Sequence, residues 1–313
     1  MKIFALIILA VVFVAILCML YYLVVGRVLF KVSFGRKTLK KRVEKKNLQQ
    51  QLKDLDIDLC WWDKVKFQEV KTQSFDGLTL VGHYFDNNSN KTALVVHGYG
   101  ANYKEMQPYC KFFIQKNFNV LVTENRAHGQ SEGVCVGFGW NDRLDILQWC
   151  NQLAEKSPEN KIVLFGLSMG ATAVCCAVGE DLPNVVVGAI SDSAFAYGKK
   201  QIEDVLSKAK ILKLFKGHLY SYLRRVHDFN IALVDAPSQL KKSKVPILFI
   251  HGKQDNFVLP QNQELLYESA PANLRAKFVV EDAGHCACYA RAGVDYEKTI
   301  NDFLKTYTTV YEK

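Results

Sequence analysis

Hydrophobic and polar positions fall into three regimes along the chain. From Ile3 to Val25 every residue is uncharged and none is Gly or Pro. At about 1.5 Å per residue such a helix spans the roughly 30 Å hydrocarbon core of a bilayer. Residues 27 to about 60 are rich in Lys, Gln and Asp. From Phe67 onward short β-branched runs alternate with longer stretches of helical period. "FQEVKTQS" and "LTLVGHYF" flank a turn containing Asp76-Gly77, which predicts an antiparallel hairpin. The runs "TALVVHG", "NVLVTEN", "KIVLFGL", "VVVGAISDS", "VPILFIHG" and "AKFVVED" are separated by segments long enough for helices. This pattern predicts an α/β fold, a mainly parallel sheet covered on both faces and begun by antiparallel strands.

Two intervals refine the picture. In 141–154, Leu144, Leu147 and Leu153 share a helical face, with Asn141 or Asp142 as its cap. Residues 197–244 form a longer link than a crossover needs. There Ile202, Val205, Leu206, Ala209 and Leu212 recur at helical spacing, followed by "LKLFKGHLYSYL". A small helical lid of two or three helices is expected.

The apolar N-terminus reads as an uncleaved anchor, because a cleaved leader has an apolar region of about 7 to 15 residues ending in a small-x-small site. Charge changes the reading of the polar segment after it. Between Arg27 and Lys46 nine basic residues face the single Glu44, and with Lys2 they hold the entire net charge of +9. The rest of the chain is neutral, so the basicity belongs to the membrane flank and not to a nucleic-acid surface. Such a flank favours the cytoplasmic side. The expected organisation is a transmembrane anchor at 1–26, a basic juxtamembrane stalk at 27–65 and a catalytic domain at 66–313. A chain starting near Gln51 should then keep the whole catalytic core. Nine cysteines without paired spacing read as free thiols.

The chemistry centres on "FGLSMGAT", residues 165–172, where Ser168 stands between a strand and a helix with Gly166 and Gly170 around it. That turn projects a serine Oγ above the sheet edge at a strained backbone conformation. A serine needs a base, an orienting acid and oxyanion donors. His285 in "EDAGHC" follows the last strand and is the candidate base. Asp255 in "HGKQDNFV" is the candidate acid, with Asp192 and Asp282 as rivals. Backbone N–H groups of Tyr99 and Met169 are the candidate oxyanion donors, Gly98 and Gly100 permitting close approach. His97 and His251 read as turn residues. "HCAC" at 285–288 has no second ligand cluster for a metal, and "HGYGAN" lacks the phosphate-loop pattern. Neither cofactor nor metal is expected.

Taken in order, "HGYGAN", "ENRAHGQSEG", "GFGWNDRLD", "GLSMGA", "HGKQDNFV" and "AGHC" resemble the α/β-hydrolase superfamily, in its serine aminopeptidase and monoacylglycerol-lipase-like branch, over about residues 66 to 308. The resemblance implies the α/β-hydrolase fold with a helical lid, and a serine hydrolase acting on a small-molecule acyl ester or amide. With the anchor in membrane lipid, carboxylester hydrolysis of acyl or lipid-like substrates leads. Aminopeptidase activity on the same triad is the alternative, and a non-catalytic binding module is a third reading.

Overall fold

A computed structural model describes residues 2–36, 61–207 and 214–311. All eight strands expected from the sequence form one sheet: β1 (Gln68–Gln73), β2 (Thr79–Phe85), β3 (Lys91–Val96), β4 (Asn119–Thr123), β5 (Lys161–Leu167), β6 (Val186–Asp192), β7 (Ile247–Gly252) and β8 (Arg275–Val280). Their order is β1-β2-β4-β3-β5-β6-β7-β8. β2 pairs antiparallel with both β1 and β4, and every other pairing is parallel. The Asp76-Gly77 turn closes the first hairpin: Gly77 has φ +82°, and the Leu78 N–H donates to Ser74 Oγ at 2.8 Å. The central strands are buried along their length because helices cover both faces.

One apolar layer lies under α4 (Asn141–Lys156) and α5 (Met169–Ala177), and the other under α3 (Gln107–Gln115) and α11 (Val294–Tyr307). The helix α4 buries a different stripe from the one expected. Ile146, Trp149, Cys150 and Leu153 are buried together with Asp142 and Asp145, whereas Leu144 and Leu147 are half-buried. Asp142 does not cap from the first position; its Oδ2 accepts the Gly139 N–H at 2.7 Å. The helix is rolled so that its acidic edge meets Arg126 beyond β4. The guanidinium donates to both oxygens of Asp145, at 2.7 and 2.6 Å, and to both of Asp76, at 2.9 and 3.1 Å. This one buried cation fastens the hairpin turn, the β4 loop and α4 together.

Between β6 and β7 lie α6 (Gly198–Ser207), α7 (Lys216–Val226) and the short α8 (Ala236–Leu240). Ile202 is buried, Leu206 half-buried and Val205 exposed; Ala209 and Leu212 lie outside the described residues. The N-terminal helix α1 (Lys2–Ser33) is longer than the expected anchor. Up to Tyr21 it is exposed on all sides. From Tyr22 one stripe is covered, with Gly26, Phe30 and Phe34 buried at intervals of four. Residues 27–36 therefore lie against the domain instead of forming a spacer. Of the remaining expected stalk, 37–60 lie outside the described residues, and α2 (Trp61–Lys64) buries Trp62 against the α3 layer ahead of the expected boundary at 66.

Replacing Arg126 by Met should cost about 3–5 kcal/mol, because Asp145 keeps its burial and loses its counter-ion. Burial already pushes the Asp145 carboxyl up to about 6 in the presence of Arg126. The loss should be larger at pH 8 than at pH 5, where a protonated carboxyl needs no cation. Denaturant titrations of both chains in detergent at the two pH values measure this, and an equal loss at both would contradict it.

Candidate active site

β5 ends at Leu167 and α5 begins at Met169, so the chain reverses through Ser168 alone. Ser168 has φ 55° and ψ −115°, a conformation that L-residues rarely adopt. The surrounding glycines explain how the turn is held. A Cβ on Gly166 would lie 2.3 Å from the Gly170 carbonyl oxygen, and one on Gly170 would lie 2.3 Å from that of Val96. Strand, turn and helix are packed backbone to backbone, and only hydrogen fits between them. The Ser168 N–H donates to the Asp192 carbonyl at 2.8 Å.

The three residues expected to act together meet here. Ser168 Oγ is 2.9 Å from His285 Nε2, and His285 Nδ1 is 2.7 Å from Asp255 Oδ2. With Nδ1–H donated to the carboxylate, Nε2 is left to accept the serine proton. Burial opposes the imidazolium of His285, but the neighbouring Cys286 and the Asp255 carboxylate outweigh it and push the group above its ordinary value. Asp255 is itself buried, which works against its charge. Hydrogen bonding from His251 and His285 and the N–H groups of Phe257 and Val258, at 2.8 and 2.9 Å to Oδ1, hold it well below the usual carboxylate range.

The rival acids are elsewhere. Asp192 is fully buried and accepts from Ser193 Oγ and Tyr296 Oη, both at 2.8 Å. Asp282 is exposed.

The loop after β3 runs beside the serine: a Cβ on Gly98 would lie 3.3 Å from Ser168 Cβ. Met169 is buried as the first residue of α5, and Tyr99 follows Gly98. Two histidines, His97 and His128, hold this loop. His97 Nδ1–H donates to the Gly98 carbonyl at 2.7 Å while Nε2 accepts the Asn125 N–H at 3.1 Å. His128 Nδ1–H donates to the Arg126 carbonyl at 3.0 Å while Nε2 accepts the Gly100 N–H at 3.1 Å. Each ring both donates and accepts and is therefore neutral, and burial pushes His128 down to about 4. His251, the other expected turn residue, stands beside the acid, its Nε2 3.4 Å from Asp255 Oδ2 and 2.9 Å from the Val258 carbonyl. The only cue to these roles was the placement of His97 and His251 at strand ends before glycine.

On the side of Met169 and Tyr99 the surroundings are apolar. Val136, Phe195, Ile202, Phe229 and Val258 are buried in one cluster with Met169, and Phe138 and Tyr99 pack against it. Serine, imidazole, carboxylate and a loop of backbone donors together suit acyl transfer at a carbonyl carbon.

Residues 87–230 match the family described as serine aminopeptidase, S33. The Bacillus subtilis protein YqkD is 26% identical over 231 residues, which cover 71% of this chain and 73% of that one. The α/β-hydrolase domain-containing protein WAV2 of Arabidopsis thaliana is 27% identical over 259 residues, covering 77% and 79%. Among solved structures, the Pyrococcus furiosus esterase Pf2001 aligns with a TM-score of 0.65 at 23% identity, over 82% of this chain and 96% of that one, and so shares its fold. The sheet order, the strand-turn-helix at Ser168 and these likenesses together give the chain the α/β-hydrolase fold.

Proposed function

We propose that this chain is a membrane-anchored serine hydrolase that cleaves carboxylic esters, acyl or lipid-like, through an acyl-enzyme on Ser168. The chain of hydrogen bonds from Ser168 through His285 to Asp255 carries the proposal. As Ser168 Oγ attacks the ester carbonyl, His285 Nε2 takes its proton. The negative charge that develops on the carbonyl oxygen is met by the N–H groups of Met169 and Tyr99. His285 returns the proton to the leaving alcohol, and a water then repeats the sequence on the acyl-enzyme. Asp255 fixes the tautomer and stabilises the imidazolium while it lasts. The apolar cluster beside Met169 favours an acyl chain over a charged peptide terminus. Aminopeptidase action on the same residues is the second reading, favoured by the family match over 87–230. The uncharged run at residues 3–25 within α1, of bilayer length, supports anchoring, and the basic residues that follow this run support a domain facing the cytoplasm.

Ser168→Ala should abolish labelling by a fluorophosphonate and lower ester turnover by about 10⁴ to 10⁶. Full labelling of that variant would remove Ser168 from the mechanism. An acyl-ester series set against peptide amides separates the two readings.

Asp255→Asn should lower turnover by about 10⁴ with the fold retained, while Asp192→Asn and Asp282→Asn lose far less. Because His285 is raised and must be neutral to act as base, activity should fall as pH drops. The midpoint of that limb in kcat/KM should lie above the ordinary histidine value of about 6.5. A limb centred below that value would show that Asp255 does not stabilise the imidazolium.

For the topology, protease added outside intact cells should spare the domain. Digestion there would place the domain on the outer face.

A further inference from the structure

The covered stripe of α1 leads into the catalytic site. Tyr22 Oη donates to the Gly217 carbonyl at 2.8 Å and its ring lies 4.1 Å from that of His218. A Cβ on Gly26 would lie 2.7 Å from the His218 carbonyl oxygen and from Tyr222 Cβ. Phe30 stacks on His227 at 4.0 Å. Residue numbers rise together on both sides, so α1 and the lid helix α7 run parallel in close contact. Phe34, 2% exposed, then packs on Phe138 at 5.3 Å, and Phe138 in turn meets Phe195 at 5.0 Å and Tyr99 at 6.4 Å. The Tyr99 hydroxyl donates to the Ser33 carbonyl, and Arg36 donates to the Gly129 carbonyl at 2.7 Å. Phe30 and Phe34 thus belong to the same apolar cluster as Met169.

Depth matters as much as contact. Tyr22 lies three residues before the end of the uncharged run, about 4.5 Å along the helix. The start of α7, with Leu214 79% exposed just ahead of it, stands at that level. Tyr21 and Tyr22 suit the headgroup boundary, where aromatic residues collect.

We infer that the end of α1, from Tyr22 to Phe34, is a specificity-determining wall of the Ser168 site, shared with the lid. The site accordingly takes long-chain acyl esters drawn from the bilayer along the seam between α1 and α7. The inference rests on the ester-hydrolase reading of Ser168. It also corrects the expectation that a chain starting near Gln51 keeps the whole core, since that chain lacks Phe30 and Phe34.

The test uses the full chain in vesicles of dialkyl-ether glycerophosphocholine, which contain no carboxylic ester, with 4-nitrophenyl esters from acetyl to palmitoyl as substrates. Phe34→Ala and Gly26→Leu, which opens the seam by steric clash, should each cut the long-chain preference in kcat/KM by about tenfold relative to acetyl. That is the worth of about two methylene contacts. Phe34→Leu should restore most of the preference, and Leu9→Ala, on the all-exposed part of α1, should leave it unchanged. Chain-length profiles that coincide with wild type would overturn the inference. So would equal losses on acetyl and palmitoyl esters, the mark of a mere structural prop. Wild-type protein that neither turns over the acetyl ester nor labels at Ser168 would instead overturn the ester reading beneath it.

Discussion

Gly170 lies under the end of β3 with its α-carbon against the carbonyl oxygens of Val96 and His97, and the active site depends on that contact. Because α5 starts so close to the sheet, Ser168 is pinned in a conformation it would otherwise leave, with its Oγ 2.9 Å from His285 Nε2. The same approach puts the loop after β3 beside the serine, so Ser168 and the candidate oxyanion donors are set by one packing event. A side chain at Gly170 would push α5 from the strand and separate them. The strain at Ser168 is held by many ordinary backbone contacts around it.

The electrostatics show a division of labour. Along the proposed path of the proton a charge is stabilised: Asp255 is kept ionised and His285 is biased toward its cation. Where a loop must only hold its shape, the histidines are neutral and each uses one nitrogen to give and one to take. The same residue type serves as machinery and as bracket, and its hydrogen-bond partners decide which.

Much of this was legible in the residues. The central strands announced themselves by β-branched runs, since a strand covered on both faces leaves little room for polar residues, and the first two by their alternation around the Asp76-Gly77 turn. Ser168, Asp255 and His285 were legible because each follows a strand, and strand ends converge on one edge of a parallel sheet. What the sequence concealed was direction. In α4 the leucines pointed to one stripe, but the helix turns another inward, with Asp145 paired to the buried Arg126. In α1 the spacing Tyr22, Gly26, Phe30, Phe34 was present in the letters. It was hidden because the first three-quarters of the helix is apolar on every side, and a stripe has no contrast against such a background. Residues read as spacer were the ones the domain grips.

That grip has a kinetic consequence. A domain on a slack stalk would sample a hemisphere of solution, and its encounters would follow bulk concentration. If α1 anchors the chain as proposed, a domain held from Tyr22 to Arg36 would have a fixed height and heading above the bilayer, and its encounters would be confined to two dimensions. Its rate would then follow the mole fraction of substrate in the surrounding lipid, and diluting the membrane with inert lipid would slow it even when the total amount of substrate stays the same.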